Sequence, residues 1–346
     1  VCCLLMLSAI PLNAQREAKQ IGDFKESISL NEHLRGTKRT LQYRPDGDEF
    51  VCVNGKNRYT RALYGSHSPF RVETSDQPVF AFYNNGRGGN ISFKVILRDG
   101  TELALDRTGY CESRYSAGKR TYYLTDPSWG KGELRISVLA LADMDGAIWR
   151  FSPSNMPKGA ILRWQHGGAT GKRLSRNGDM GVDPADCFEL PAEATDLVTG
   201  ELALQKEVYL VRGEVPEGYN VRKLYQQAEA ASLALASHLK IETPDPYLNT
   251  LGGALVAAAD GIWDGQVWLH GAIGWRMPLS GWRAGYTGDA LGWHDRARTH
   301  FDAYAASQVT DVPNTIPHPA QDSTMNLARS EKRWGTPQYS NGYICR

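Results

Sequence analysis

Two periodicities divide the chain. From about residue 39 to 215 apolar and polar side chains alternate, and from about 216 the repeat lengthens to that of a helix. TLQYRPDGDEFVCVNG reads as a hairpin turning at Asp46-Gly47, and NISFKVILRDGTELAL as a second turning at Asp99-Gly100. KRTYYLTD, GELRISVLALAD, GAIWRFS, AILRWQHGG and KEVYLVRG continue the series. In GELRISVLALAD, Leu134, Ile136, Val138, Ala140 and Ala142 alternate with Arg135, Ser137, Leu139 and Leu141, so the strand is half-buried at its start and apolar on both faces at its end. About a dozen such segments separated by turn residues predict an antiparallel β-sandwich over residues 30–215.

Beyond it, PEGYNVRKLYQQAEAASLALASHLK puts Val221, Leu224, Ala228, Ala231, Leu235 and Leu239 on one face, a linker helix within 216–243. Asp245 and Pro246 are a good N-cap and first helical residue for a second helix, with an apolar stripe of Leu248, Leu251, Leu255, Ala259 and Ile262. A third helix is expected from Thr287 to about Val309, with Ala290, His294, Ala297, Phe301 and Tyr304 on its stripe. A polar, Pro-broken loop follows. The expected fold class is α+β multidomain: a sandwich, a linker helix, then a helical domain over 244–346. Two or three helices close no core alone, so the helical domain reads as truncated.

Composition narrows the function classes. The chain has 346 residues, 41% hydrophobic and 22% charged, with a formal net charge of +1. That balance gives no reason to expect a nucleic-acid partner or an anionic membrane. Val1 to Gln15, VCCLLMLSAIPLNAQ, reads as a signal-peptide remnant, too short for a membrane span, which points to a secreted or periplasmic protein. Cys52, Cys111, Cys187 and Cys345 form no CxxC pattern and are expected as buried free thiols rather than disulfides. Asp143, Asp145 and Gly146 lack the spacing of a calcium loop, so no metal and no cofactor is expected.

Candidate chemistry concentrates between the second and third helices. WLHGAIGWRMPLSGWRAGYTGDALGWHDRA, from Trp268 to Ala297, holds four of the chain's nine tryptophans. Indole and phenol rings stack on the C–H faces of pyranoses, while guanidinium and carboxylate groups bind vicinal hydroxyls or a uronate carboxylate. Trp268, His270, Trp275, Arg276, Trp282, Arg283, Tyr286 and Trp293 are therefore the candidate sugar-binding residues, set against the plainer reading of a structural tryptophan cluster. Asp289, expected in the first turn of the third helix, shares a face with Trp293, Arg296 and His300; it is either a helix-start acid or a catalytic carboxylate. Asp260 and Asp264 fall four apart at the end of the second helix, where mutual repulsion would raise one pKa; the rival reading of Asp264-Gly265 is a turn. His294 falls on the apolar stripe and reads as a core histidine.

The same stretch, behind a sandwich and a linker helix, resembles secreted glycoside hydrolases built on an (α/α)6 toroid. It is most similar, over about residues 245–310, to an uncharacterised family described as a domain of unknown function (number 4450), found in large glycan-degrading proteins. The resemblance over 30–215 is architectural only. It implies inverting hydrolysis of an oligo- or polysaccharide by a carboxylic acid and a carboxylate roughly 6.5–9.5 Å apart, with Asp289 and Asp264 as candidates. Related expectations are a glycoside phosphorylase, or a lyase using Tyr286 and Arg283. From a different class comes a non-catalytic glycan-binding protein, using sandwich aromatics such as Trp129.

Overall fold

The computed structural model describes residues 42–58, 60–68, 70–84, 87–173, 197–215, 217–269 and 278–306. All its secondary structure belongs to the unit that begins at Arg44. The signal-like segment, Cys187, Cys345, His270, Trp275 and Arg276 lie outside the described residues, and of Trp282 and Arg283 only the backbone is described.

Fourteen strands are described. One sheet joins β1 (Arg44–Asp46), β2 (Glu49–Val53), β8 (Tyr110–Ser116), β9 (Lys119–Thr125), β10 (Glu133–Ala140), β11 (Gly146–Ser154) and β14 (Val208–Gly213), in that order. The other runs β13 (Val198–Ala203), β12 (Ile161–Arg173), β6 (Arg87–Ile96), β5 (Phe80–Asn84), β4 (Arg71–Thr74) and β3 (Arg61–Leu63), with β7 (Glu102–Ala104) also paired to β6. Every pairing is antiparallel.

The two sheets share one core. Ile136, Val138, Trp149 and Phe151 from the first meet Val72, Phe80, Phe82, Ile91, Phe93 and Leu162 from the second. Trp149 takes the edges of Phe80 and Phe82 at 5.6 and 5.7 Å, the T-shaped geometry that aromatic quadrupoles favour. Trp129, expected on the surface, is 2% exposed and belongs to this core. The first hairpin turns one residue later than expected. Asp46 pairs with Glu49, and Gly47, at φ +60°, takes the first loop position that favours glycine.

Four helices follow. α1 (Val221–Ala236) is capped by the Asn220 side chain, which accepts the N–H groups of Arg222 and Lys223. It lies on the outer face of the first sheet, where Leu224, Tyr225 and Ala228 cover Leu139, Leu141 and Ile148. Those are the strand residues whose second apolar face needed a cover. Arg150 stacks on Tyr225 at 4.3 Å, and Ser232 donates to the Ala117 carbonyl.

α2 (Pro246–Gly261) begins at Asp245, whose carboxylate accepts the Tyr247 N–H. Its buried residues are Thr250, Gly252, Val256 and Ala257, whereas Leu248 and Leu255 are 46% and 51% exposed. Leu251 and Leu255 face an open cleft beside the sandwich rather than a packed surface. The closely packed side is built of small residues, because Ala117, Ala236 and Tyr64 press against Gly253 and Gly261.

The expected third helix is two: α3 (Pro278–Ala290) and α4 (His294–Ala306), broken around Gly292 at φ +78°. Asp289 thus sits in the last turn of α3 rather than at a helix start. No helix of the described residues is long and apolar enough to cross a membrane.

Candidate functional site

The tryptophan cluster begins where α2 ends. Asp264 Oδ1 accepts the backbone N–H groups of Gln266 (2.9 Å) and Val267 (2.7 Å), with Gly265 at φ +92°, so the chain reverses and Trp268 bridges back to Trp263. Asp264 is therefore a turn-forming residue. Trp268 is 2% exposed. Its indole N–H donates to the Ala259 carbonyl (3.0 Å), and its ring lies 4.6 Å from Trp263 and 6.4 Å from Trp293.

Glycines leave room for these rings: the Trp268 indole occupies the space a Cβ on Gly288 would need, and Phe301 and His300 do the same at Gly285. The mixture of indoles and glycines in one segment thus has a packing cause. His300 is fully buried and its Nδ1 accepts the Trp268 backbone N–H (3.1 Å), which makes the ring neutral with its proton on Nε2. His294, expected in the core, is instead exposed, and its Nδ1 meets Asp289 Oδ1 at 2.5 Å.

One carboxylate is placed differently. Asp260, in the last turn of α2, receives Arg296 of α4 (2.7 Å) and His67 of the β3–β4 loop (3.2 Å) on the same oxygen. Burial alone would raise its pKa, but the hydrogen bonds from His67 and Arg296 outweigh it and hold the carboxyl below the usual range. This reverses the raised pKa that repulsion between Asp260 and Asp264 would give; α2 stops at Gly261, before Asp264. The Arg296 guanidinium lies over Trp293 at 4.7 Å and Trp263 at 5.8 Å, which orients it toward Asp260. The loop bearing His67 is fixed as well, since Ser66 and Ser68 both donate to Asp145 Oδ1.

Asp260 and His67 line a cleft of about 450 Å3 between the sandwich and helices α1 and α2. Tyr64, Tyr115 and Arg61 come from the sandwich, Ser232 from α1, and Leu251, Ala254, Leu255 and Ala258 of α2 line the helical wall. The Tyr64 phenol is driven far above its ordinary pKa by burial, then by the nearby Glu73 carboxylate, so it is a neutral hydrogen-bonding group at every physiological pH. The volume lies within the range of small-ligand sites, roughly 300–1,000 Å3. Among the described residues no cluster of histidine, cysteine and carboxylate side chains is arranged to hold a metal ion.

The structure thus brings together Trp268, Trp293 and, through Arg296, Asp260; it places Asp289 with His294 on the surface, and Tyr286, 43% exposed, against Phe301. Sequence reasoning missed Arg61, Tyr64 and His67. They fall in RALYGSHS, a segment whose only local signal is its turn residues, and they meet α2 only through the tertiary fold.

Fold and cleft together define a class, an antiparallel β-sandwich carrying helices on one outer face. Within it, a family model described as a domain of unknown function (DUF4450) matches residues 85–215, the region of β6 to β14. This is the family to which the sequence resemblance pointed, but the match falls on the sandwich and not on 245–310. No curated protein matches the chain.

Proposed function

We propose that the chain is a secreted or periplasmic carbohydrate-active enzyme, a glycoside hydrolase acting on an oligo- or polysaccharide without a resident cofactor, its helices belonging to an (α/α)6 toroid. The observation that carries this reading is the Asp260 carboxylate, held ionised in the lining of a cleft by His67 and Arg296. Glycosidic cleavage passes through an oxocarbenium-like state that a fixed negative charge stabilises, while a second carboxyl group handles the proton of the leaving oxygen. Asp260 fits the first role. Asp289, with a side chain 58% exposed and joined to His294, is assigned the second. Trp293 is packed among Trp268, His238 and Arg296, and its part is to hold the Arg296 guanidinium toward Asp260.

The test is release of reducing ends from a panel of plant and host glycans by the full chain. Asp260→Asn and Asp289→Asn are each expected to lower kcat by at least about 100-fold, the scale of losing an acid–base group, with unchanged circular dichroism. Undiminished turnover by both variants removes these carboxylates from the reaction; cleavage that requires added phosphate replaces hydrolysis with phosphorolysis.

A further inference from the structure

The outer face of the second sheet carries a separate groove of about 620 Å3. Its floor is polar: Asn90, Ser92 and Lys94 alternate along β6 on the side away from the core residues Ile91, Phe93 and Val95, and Gln165 continues the surface on β12. One wall is Lys56, Asn57 and Arg58 with the 75–79 turn; the other is the segment from Ala104 to Arg107. Four cationic side chains, Lys56, Arg58, Lys94 and Arg107, line it against one carboxylate, Asp106. The whole chain carries a net charge of only +1, so this is a local concentration of positive charge.

Lys94 reaches Glu102 at 3.5 Å, but Lys56 and Arg107, both exposed, meet no carboxylate among the described residues. Among the described residues the one aromatic lining the groove, Phe93, is buried in the sandwich core and offers no ring face. A binder of neutral sugars by stacking, or of single-stranded nucleic acid, needs such faces, and the described lining offers none.

The wall is built rather than loose. Asp76, fully buried, accepts the Asn57 N–H (2.9 Å) and the Thr60 hydroxyl (3.4 Å) and faces Arg120 at 3.6 Å. The Ser75 carbonyl accepts from Arg120 (3.0 Å) and Tyr122 (2.8 Å), both core residues of β9. The Asp76 N–H returns to the Asn57 carbonyl (2.9 Å), so the two loops of this wall are tied to each other and to the core. Cations carried on a fixed frame lose little freedom on binding.

We propose that this groove binds an acidic glycan strand, one bearing uronate carboxylates or sulfates. Ser92 and Gln165 take hydroxyls, and Lys56 and Arg107 take the anions. The proposal rests on the reading of the chain as a carbohydrate-active protein and adds the charge class of the polymer. It is independent of the cleft, because no described residue lines both.

Affinity electrophoresis of the full chain in gels containing polygalacturonate, chondroitin sulfate or neutral dextran tests it by binding alone, so an inactive enzyme still gives an answer. Retardation is expected in at least one acidic gel and not in dextran, fading in high salt as charges are screened. Lys56→Gln with Arg107→Gln, at two exposed positions, is expected to weaken retardation about tenfold with an unchanged melting temperature. Retardation by polygalacturonate alone selects carboxylates; by chondroitin sulfate alone, sulfates. Equal mobility in acidic and neutral gels, or undiminished retardation of the double variant, overturns the proposal. Asp260→Asn binding as tightly as the parent while losing cleavage would leave the groove standing apart from the catalytic reading.

Discussion

Gly288 is the position where one added methyl group is most informative. A Cβ there would overlap the Trp268 indole, which cannot retreat: its N–H is held by the Ala259 carbonyl and its backbone by His300. Gly288→Ala is therefore expected to destabilise by about 1–3 kcal/mol, the range for overpacking a filled site, although alanine is the better helix former by about 1 kcal/mol. Urea unfolding checks the sign: a stabilised variant would mean that α3 stands off the cluster. The indoles and glycines were legible in the sequence as a pair of features, but not as cause and effect. Residue types tell that rings and gaps coexist; only the fold tells that Trp268 fills the gap and that Trp293 stacks against Trp268 and His238. The same limit applies to Asp289 and His294. Their five-residue spacing crosses the helix break at Gly292, so a single helical period placed them wrongly.

At the scale of elements, α2 separates hydrophobicity from burial. Its leucines form the better apolar stripe in sequence, yet the packed side is Gly252, Gly253, Val256, Ala257 and Gly261, where the helix approaches the 236–241 segment, Ala117 and Tyr64 closely. Close approach selects small side chains, and a pattern that counts only apolar character ranks them last. Leu255→Ser is accordingly expected to change stability by less than about 0.5 kcal/mol, as at exposed sites. Val256→Ala, one residue on, removes two buried methyl groups at about 0.8 kcal/mol each and is expected to cost about 1–2 kcal/mol. Thermal melts of the two variants decide; a larger loss from Leu255→Ser would show that its side is the packed one. Caps were easier to read, because Asp245-Pro246 acts within one turn and needs no tertiary partner.

At the scale of the molecule, alternation announced the sandwich and the hairpins, which are local. The order of strands was not legible: β2 pairs with β8 and β6 with β12, partners far apart in sequence and chosen by which faces can be buried together. That long-range pairing gives the chain a built-in reporter. Cys52 and Cys111 are free and buried, as expected for sequence-distant cysteines, on the paired strands β2 and β8 next to the Asp76–Arg120 pair. Burial pushes the Cys111 thiol up to about 12, with Arg120 offsetting part of that rise and Cys52, Asp76 and Glu112 adding to it; burial and then Asp76 also raise Cys52. The thiolate is the reacting form, so raising the pH from 7 to 9, which ionises an ordinary thiol of pKa about 8.5, should leave Cys111 almost wholly protonated. Alkylation followed by peptide mass spectrometry is expected to leave both residues unmodified in the folded protein at pH 9 and to modify both in denaturant. Since opening them means parting paired strands of the first sheet, their labelling rate should follow global unfolding. Rapid native-state labelling of Cys111 at pH 9 would show instead that the β2–β8 edge opens alone, and that the wall of the cationic groove, tied to the same Asp76–Arg120 pair, is not rigid.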